Sequence, residues 1–276
     1  KGAPRPGAAT IGVSVPAGLL PEQGDPDFAA RLAEVPEFAA AHAASASAST
    51  VKTDPCAAKT DATSMFQIAP HQRFVRSFMS ASTPYNGLLL FHGLGSGKTC
   101  AAMQVAEETF NTLARTGTPR RTFVVAAPNL QAQFKANLFD ADKLVQRNGV
   151  WTMPGCVAPE LLHEALPDPR TVEPKETIVR RLEQAVARRY AFVGPDQLAN
   201  MVAKVLKKHE GVASRQQQQR LQRRTLTEAF GHRLYIIDEA HDLRVSGIGS
   251  SKNAWDALKK IAEKAEGTKL LMLTAT

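Results

Sequence analysis

The sequence predicts an α/β fold, a doubly wound parallel sheet with helices on both faces, preceded by a largely disordered N-terminal arm. Three observations predict it. Five short apolar runs, Leu88–Phe91, Thr122–Ala127, Tyr190–Val193, Leu234–Ile237 and Leu270–Leu273, are continuous rather than alternating. That is the pattern of parallel strands covered on both sides. Helix-prone stretches separate them, among them Thr99–Ala114, Asn129–Asn137, Thr177–Arg188, Pro195–Lys207 and Asn253–Glu266, so strand and helix alternate. The first run also enters a glycine-rich turn that opens straight into the first long helix.

Residues 1–62 are rich in Ala, Pro, Ser and Gly and include the low-complexity stretch Ala39–Thr50, which predicts a mobile arm. Within it, Asp27 to Phe38 carries apolar residues at near-helical spacing; a docking helix and a nascent helix of no consequence both fit. Residues 63–276 are read as one domain. Hydrophobic residues make up 43% of the chain, as in ordinary globular proteins. No run approaches the roughly 18 apolar residues of a membrane span, so no membrane partner is expected.

Cys56, Cys100 and Cys156 are odd in number and, like the seven histidines, lack metal-ligand spacing. The expectation is free thiols in a reducing, intracellular compartment. The net charge of +8 is concentrated in residues 170–233, which hold 14 Lys+Arg against 6 Asp+Glu. A basic block of this kind favours a polyanionic partner. Arg180, Arg181, Arg188, Arg189, Lys204, Lys207, Lys208 and the stretch Arg215–Arg224 could track phosphates, or could form a solvated face.

The turn His92-Gly93-Leu94-Gly95-Ser96-Gly97-Lys98-Thr99 has the strand before it and the helix after it that a phosphate-binding loop requires. Glycines let several N–H groups converge on one anion, and the helix N-terminus adds partial positive charge. Gly93, Leu94, Gly95, Ser96, Gly97, Lys98, Thr99 and Cys100 are thus expected to hold ATP, with Lys98 on the β and γ phosphates and the Thr99 hydroxyl on Mg²⁺. His92 stands where Gly or Ala is usual, at a position that ends the strand and need not touch phosphate.

A second apolar run leads into Asp238-Glu239-Ala240-His241. A carboxylate at the carboxyl end of a buried strand is where a Mg²⁺–ATP site needs one. Asp238 is expected to hold the metal, Glu239 to orient and activate the attacking water, and His241 to link the nucleotide to an opposing domain. A third run ends in Thr274-Ala275-Thr276, whose hydroxyls could couple to Asp238 or His241.

These three motifs in this order resemble motifs I, II and III of superfamily 2 helicases of the DEAH type, and they cover the first of that family's two RecA-like domains. Val124–Leu130 is similar to motif Ia, which implies that Pro128 and Asn129 touch nucleic acid. Gln72, in Pro70-His71-Gln72, lies where these motors place an adenine-reading glutamine, with Phe66 and Phe74 as weaker candidates. Longer strings, Pro70–Val75, Thr83–Cys100 and Ile236–Arg244, resemble helicase-type ATPases of nucleocytoplasmic large DNA viruses, relatives of the poxvirus early transcription factor small subunit.

The resemblance implies a nucleic-acid-dependent ATPase, a helicase or duplex translocase in viral transcription or replication. It would use ATP and Mg²⁺ and act on nucleic acid, DNA before RNA, in a virion or in host cytoplasm or nucleus. Its partners would be a second RecA-like domain of the same polypeptide and, as a further candidate, a viral RNA polymerase. That second domain carries arginine fingers worth around 10³–10⁵ in rate, so these 276 residues alone are expected to bind ATP weakly and hydrolyse it poorly. Two other readings stay open: a non-motor nucleotide-binding subunit of a transcription initiation complex, and a restriction- or packaging-type ATPase.

Overall fold

The computed structural model describes residues 20–39, 68–93, 95–208, 214–243 and 250–275. In chain order the helices are α1 Phe28–Glu34, α2 Pro70–Phe78, α3 Lys98–Arg115, α4 Pro128–Leu138, α5 Ala158–Ala165, α6 Lys175–Arg189, α7 Pro195–Lys207, α8 Arg215–Phe230 and α9 Ser250–Lys264. The strands are β1 Gly87–Phe91, β2 Thr122–Val125, β3 Val145–Arg147, β4 Val150–Thr152, β5 Tyr190–Val193, β6 Leu234–Ile237 and β7 Lys269–Thr274. Five of them form an all-parallel sheet in the order β1-β7-β6-β2-β5.

The apolar runs are continuous because both faces of the sheet are covered. Val124, Leu234, Ile236, Leu271 and Leu273 pack with α1 to α6 in one core. Their alternating neighbours Phe123, Val125, Tyr235 and Ile237 pack with α7, α8 and α9 in a second. Alternate residues point to opposite faces, and β2 and β6, in the middle, are buried along their whole length. At the β1 edge cover is thinner, and Leu89 and Phe91 are exposed. The α/β expectation holds, and strand limits agree with the apolar runs to within two residues.

Two features lie outside that expectation. The antiparallel pair β3–β4 turns on Asn148 and Gly149, both at positive φ, as a two-residue hairpin requires. Residues 20–39 are packed onto the domain. Leu32 and Phe38 are buried, Phe28 meets Tyr85 edge-on at 5.5 Å, and the Tyr85 hydroxyl donates to the Pro21 carbonyl at 2.8 Å. The apolar spacing from Asp27 to Phe38 thus coincides with a short helix packed on the domain.

Beneath the sheet lies a buried ionic cluster. Arg189 Nε donates to Glu107 Oε2 at 2.9 Å, the Tyr190 hydroxyl donates to Glu107 Oε1 at 2.8 Å, and Arg189 also pairs with Glu164. Arg189 thus leaves the set of surface cations that the basic block offered. A carboxylate buried under α3 needs a counter-charge, and this guanidinium supplies it. In the same block Arg181, Arg188, Arg223 and Arg224 are each paired with a glutamate.

Candidate functional site

The parallel sheet brings three loop starts to one edge. Phe91 stands opposite Thr274 in the β1–β7 ladder, and the His92 N–H continues it to the Thr274 carbonyl at 3.4 Å. β6 flanks β7 on its other side and ends at Ile237, directly before Asp238. The glycine-rich turn, Asp238–His241 and Thr274 therefore cluster at the carboxyl ends of the strands, the position in which open α/β sheets bind ligands.

Within the turn, Gly95 and Gly97 hold φ of 76° and 80°. Only glycine takes this backbone without strain, and Gly97 also caps α3. Space adds a second constraint there, because a Cβ on Gly97 would stand 2.5 Å from Gln72 Nε2. Lys98 Nζ donates to the His92 carbonyl at 2.5 Å and the Gly93 carbonyl at 3.0 Å, which holds the ammonium across the turn. Among the described residues no carboxylate pairs with it. The Ser96 hydroxyl is buried without a hydrogen-bond partner. An oxyanion in the turn would meet the Lys98 charge, the orphaned Ser96 hydroxyl and the free N–H groups of the first turn of α3.

On the acidic side, the Asp238 N–H donates to the Val125 carbonyl at 3.2 Å and its Oδ1 accepts from the Glu239 N–H at 3.1 Å. Burial pushes the Asp238 carboxyl above the usual range; the Glu239 N–H opposes this, the Glu239 charge adds to it, and Lys98 opposes it. Asp238 and Lys98 are thus within electrostatic reach, and a partly desolvated carboxylate is suited to a cation. Among the described residues no group of three or more His, Cys, Asp or Glu could hold a metal alone. Mg²⁺ bound through one or two carboxylates and a ligand's own phosphates needs no such cage, so the donor set fits that ion with a nucleotide.

Glu239 has φ 50° and ψ 53°, left-handed for a non-glycine residue. Such a conformation costs on the order of 1–3 kcal/mol and persists where neighbours enforce it. His241 Nδ1 lies 3.1 Å from Thr274 Oγ1 and 3.2 Å from Glu239 Oε2, so the end of β7 and the Asp238–His241 loop are directly joined. Pro128 and Asn129 sit exposed at the start of α4, after β2 on the same sheet edge. Leu94, Thr276 and Phe66 lie outside the described residues. Phe74 stacks with Phe78 at 5.9 Å and belongs to the core under α1.

Gln72 is buried, its Oε1 accepting from the Ala69 N–H at 3.0 Å and its Nε2 donating to the Gly97 carbonyl at 3.2 Å. It braces α2 against the turn, and its amide keeps one N–H and one acceptor lone pair beyond these two bonds. Its neighbour His71 does the same with Nε2 at 3.0 Å from the Ser96 carbonyl and its ring edge-on to His92 at 5.9 Å. Sequence reasoning missed His71; its place beside Gln72 was the available signal. Burial, then His71 and Lys98, hold the His92 imidazole below its usual range.

Cys100 contributes only backbone to the turn. Its Sγ is bonded to that of Cys156, with the Cα atoms 5.6 Å apart, which corrects the expectation of free thiols at these two positions. The error has a physical source: 56 positions separate the two in sequence, and only the seating of the turn before α5 against α3, where Gln104 Nε2 donates to the Cys156 carbonyl, brings them together.

A family model described as type III restriction enzyme, res subunit, matches residues 65–276. The chain is 26% identical to the "Putative ATP-dependent RNA helicase L377" of Acanthamoeba polyphaga mimivirus, over 76% of this chain and 18% of that protein. It is 28% identical to the "Putative helicase 009L" of Frog virus 3, over 75% of this chain and 18% of the relative. For the "Putative helicase 087L" of Invertebrate iridescent virus 3 the identity is 23%, with the same coverage. The chain spans less than a fifth of the length of these relatives.

Proposed function

This chain belongs to the type III restriction enzyme res-subunit family as the first RecA-like domain of a superfamily 2 helicase-type ATPase, and from that premise we propose how its residues divide the work. The glycine-rich turn and Lys98 bind the β and γ phosphates of ATP. Thr99 and Asp238 would hold Mg²⁺, which would supply positive charge against the negative charge developing on the phosphoryl group being transferred. Glu239 takes a proton from the attacking water, its carboxylate lying 3.2 Å from His241 Nδ1. His241, joined to Thr274, relays the state of the nucleotide to whatever packs on that edge.

The observation that carries this reading is the convergence of Lys98, the orphaned Ser96 hydroxyl and the partly buried Asp238 at one sheet edge. Pro128 and Asn129 share that edge and are assigned to a nucleic-acid backbone, with DNA preferred to RNA and a role in viral transcription or replication. The domain is assigned to residues 63–276, with residues 20–39 docked upon it. ATP turnover by a polypeptide that joins this domain to its second RecA-like domain, measured with single-stranded DNA, duplex DNA and RNA, tests the proposal. Nucleic-acid-stimulated hydrolysis should be lost in Lys98→Ala and in Glu239→Gln, with nucleotide binding kept only in the second. Hydrolysis that survives Glu239→Gln would contradict the assigned base.

A further inference from the structure

The outer edge of the sheet, away from the nucleotide site, carries a second surface. Among the described residues β5 pairs with β2 alone. The Val193 carbonyl accepts from the Ala126 N–H at 3.2 Å, which fixes the phase of the parallel ladder. Ala191 and Val193 turn their main-chain groups toward β2, and Phe192 turns its N–H and C=O outward. Among the described residues neither group of Phe192 has a partner.

A cleft of about 650 Å³ wraps this edge. Lys135 of α4, Phe139 just after it and Val186 of α6 bound it on one face of the sheet, Gln197 and Met201 of α7 on the other, and the four residues of β5 line its floor. Its lining is net positive, with Arg121 and Lys135 against one carboxylate. Lys135 Nζ sits 4.7 Å over the Phe192 ring, and Arg121 lines the cleft at its other end. Arg233 lies behind, 8% exposed, its guanidinium 4.4 Å over Phe123 and its Nε without a hydrogen-bond partner. Among the described residues, none of Arg120, Arg121, Lys135 and Arg233 forms an ion pair. That one carboxylate of the lining is Glu183.

We propose that the β5 edge is a docking site for an extended acidic polypeptide segment, which adds a strand beside Phe192 and sets its carboxylates on Arg121 and Lys135. A bare edge strand is a template for pairing, and strand addition draws affinity from main-chain bonds while flanking pockets select side chains. A nucleic-acid strand would meet the cations. It has no main-chain N–H and C=O to answer Phe192, and it would set phosphates against an apolar floor.

The probe is a capped seven-residue peptide of alternating valine and threonine with aspartate at both ends, offered to the whole chain. Saturable binding by fluorescence anisotropy is expected, with the Phe192 amide slowed in hydrogen exchange. Arg121→Glu and Lys135→Glu, both at exposed positions, should each weaken binding at least tenfold, and the same peptide with lysine ends should not bind. Failure of the acidic peptide to bind, or binding that leaves the Phe192 amide unprotected, overturns the proposal. So does protection of that amide by a seven-nucleotide oligothymidylate and not by the peptide. Should a charge-reversal variant unfold, protection in the unsubstituted chain by the acidic and not the basic peptide decides the matter.

Discussion

Replacing Arg189 by Met tests the ionic cluster that ties α3, the helix opened by Lys98, to β5. The Arg189 and Glu107 side chains are 7% and 4% exposed, with the guanidinium 2.9 Å from one carboxylate oxygen and the Tyr190 hydroxyl 2.8 Å from the other. Methionine keeps the stem's packing and leaves Glu107 buried with Tyr190 as its remaining donor. Removing one partner of a buried pair costs about 3–5 kcal/mol, which at about 2–4 °C per kcal/mol is on the order of 6–20 °C in Tm. Urea unfolding followed by circular dichroism measures it. Burial already raises the Glu107 carboxyl, and the Arg189 charge opposes that rise; without Arg189 the carboxyl rises further. An acid raised in the folded state contributes stability below its unfolded value and loses it as pH climbs through the folded one. The penalty should therefore shrink as pH falls from neutrality toward 4.5, and Glu107→Gln combined with Arg189→Met should recover much of it. A loss under about 1 kcal/mol for Arg189→Met, or a double variant as unstable as the single, would refute the reasoning.

Three further outcomes follow from the same structure. Burial lowers the Lys269 ammonium to about 8, where it donates to the Ser80 and Tyr85 carbonyls. The unfolded chain then holds the extra proton between about 8 and 10.5, so stability should rise with pH across that window, and Lys269→Met should flatten the rise. Reduction of the Cys100–Cys156 bond should liberate two thiols in a titration and lower stability by about 2–4 kcal/mol; an unchanged thiol count would show the pair to be unbonded. Gly97→Ala should weaken nucleotide binding at least tenfold, because both the positive φ and the Gln72 contact oppose a side chain there; isothermal titration measures the loss.

Much of the site was legible because its chemistry is local in sequence. The turn from His92 to Thr99 needs its glycines and lysine in fixed order, and Asp238–His241 and Thr274 follow apolar runs that can only be buried strands. Boundaries were legible for the same reason: β5 and β6 are bare apolar runs between polar helices. What stayed hidden depends on distant packing. Cys100 and Cys156 meet only where a distant turn seats against α3, Arg189 reads as one more cation of a basic block until Glu107 is placed beside it, and Gln72 binds Gly97 25 positions away. The hairpin at Asn148-Gly149 carries a local signal, but its strands are three residues long and too short to show periodicity.

Binding of a fluorescent ATP analogue to this chain, with and without Mg²⁺, tests the central assignment most directly. Saturable, Mg²⁺-strengthened binding is predicted for the unsubstituted protein, with at least a tenfold loss in Lys98→Ala and loss of the Mg²⁺ effect in Asp238→Asn. Equal binding by Lys98→Ala and the unsubstituted chain would contradict the account.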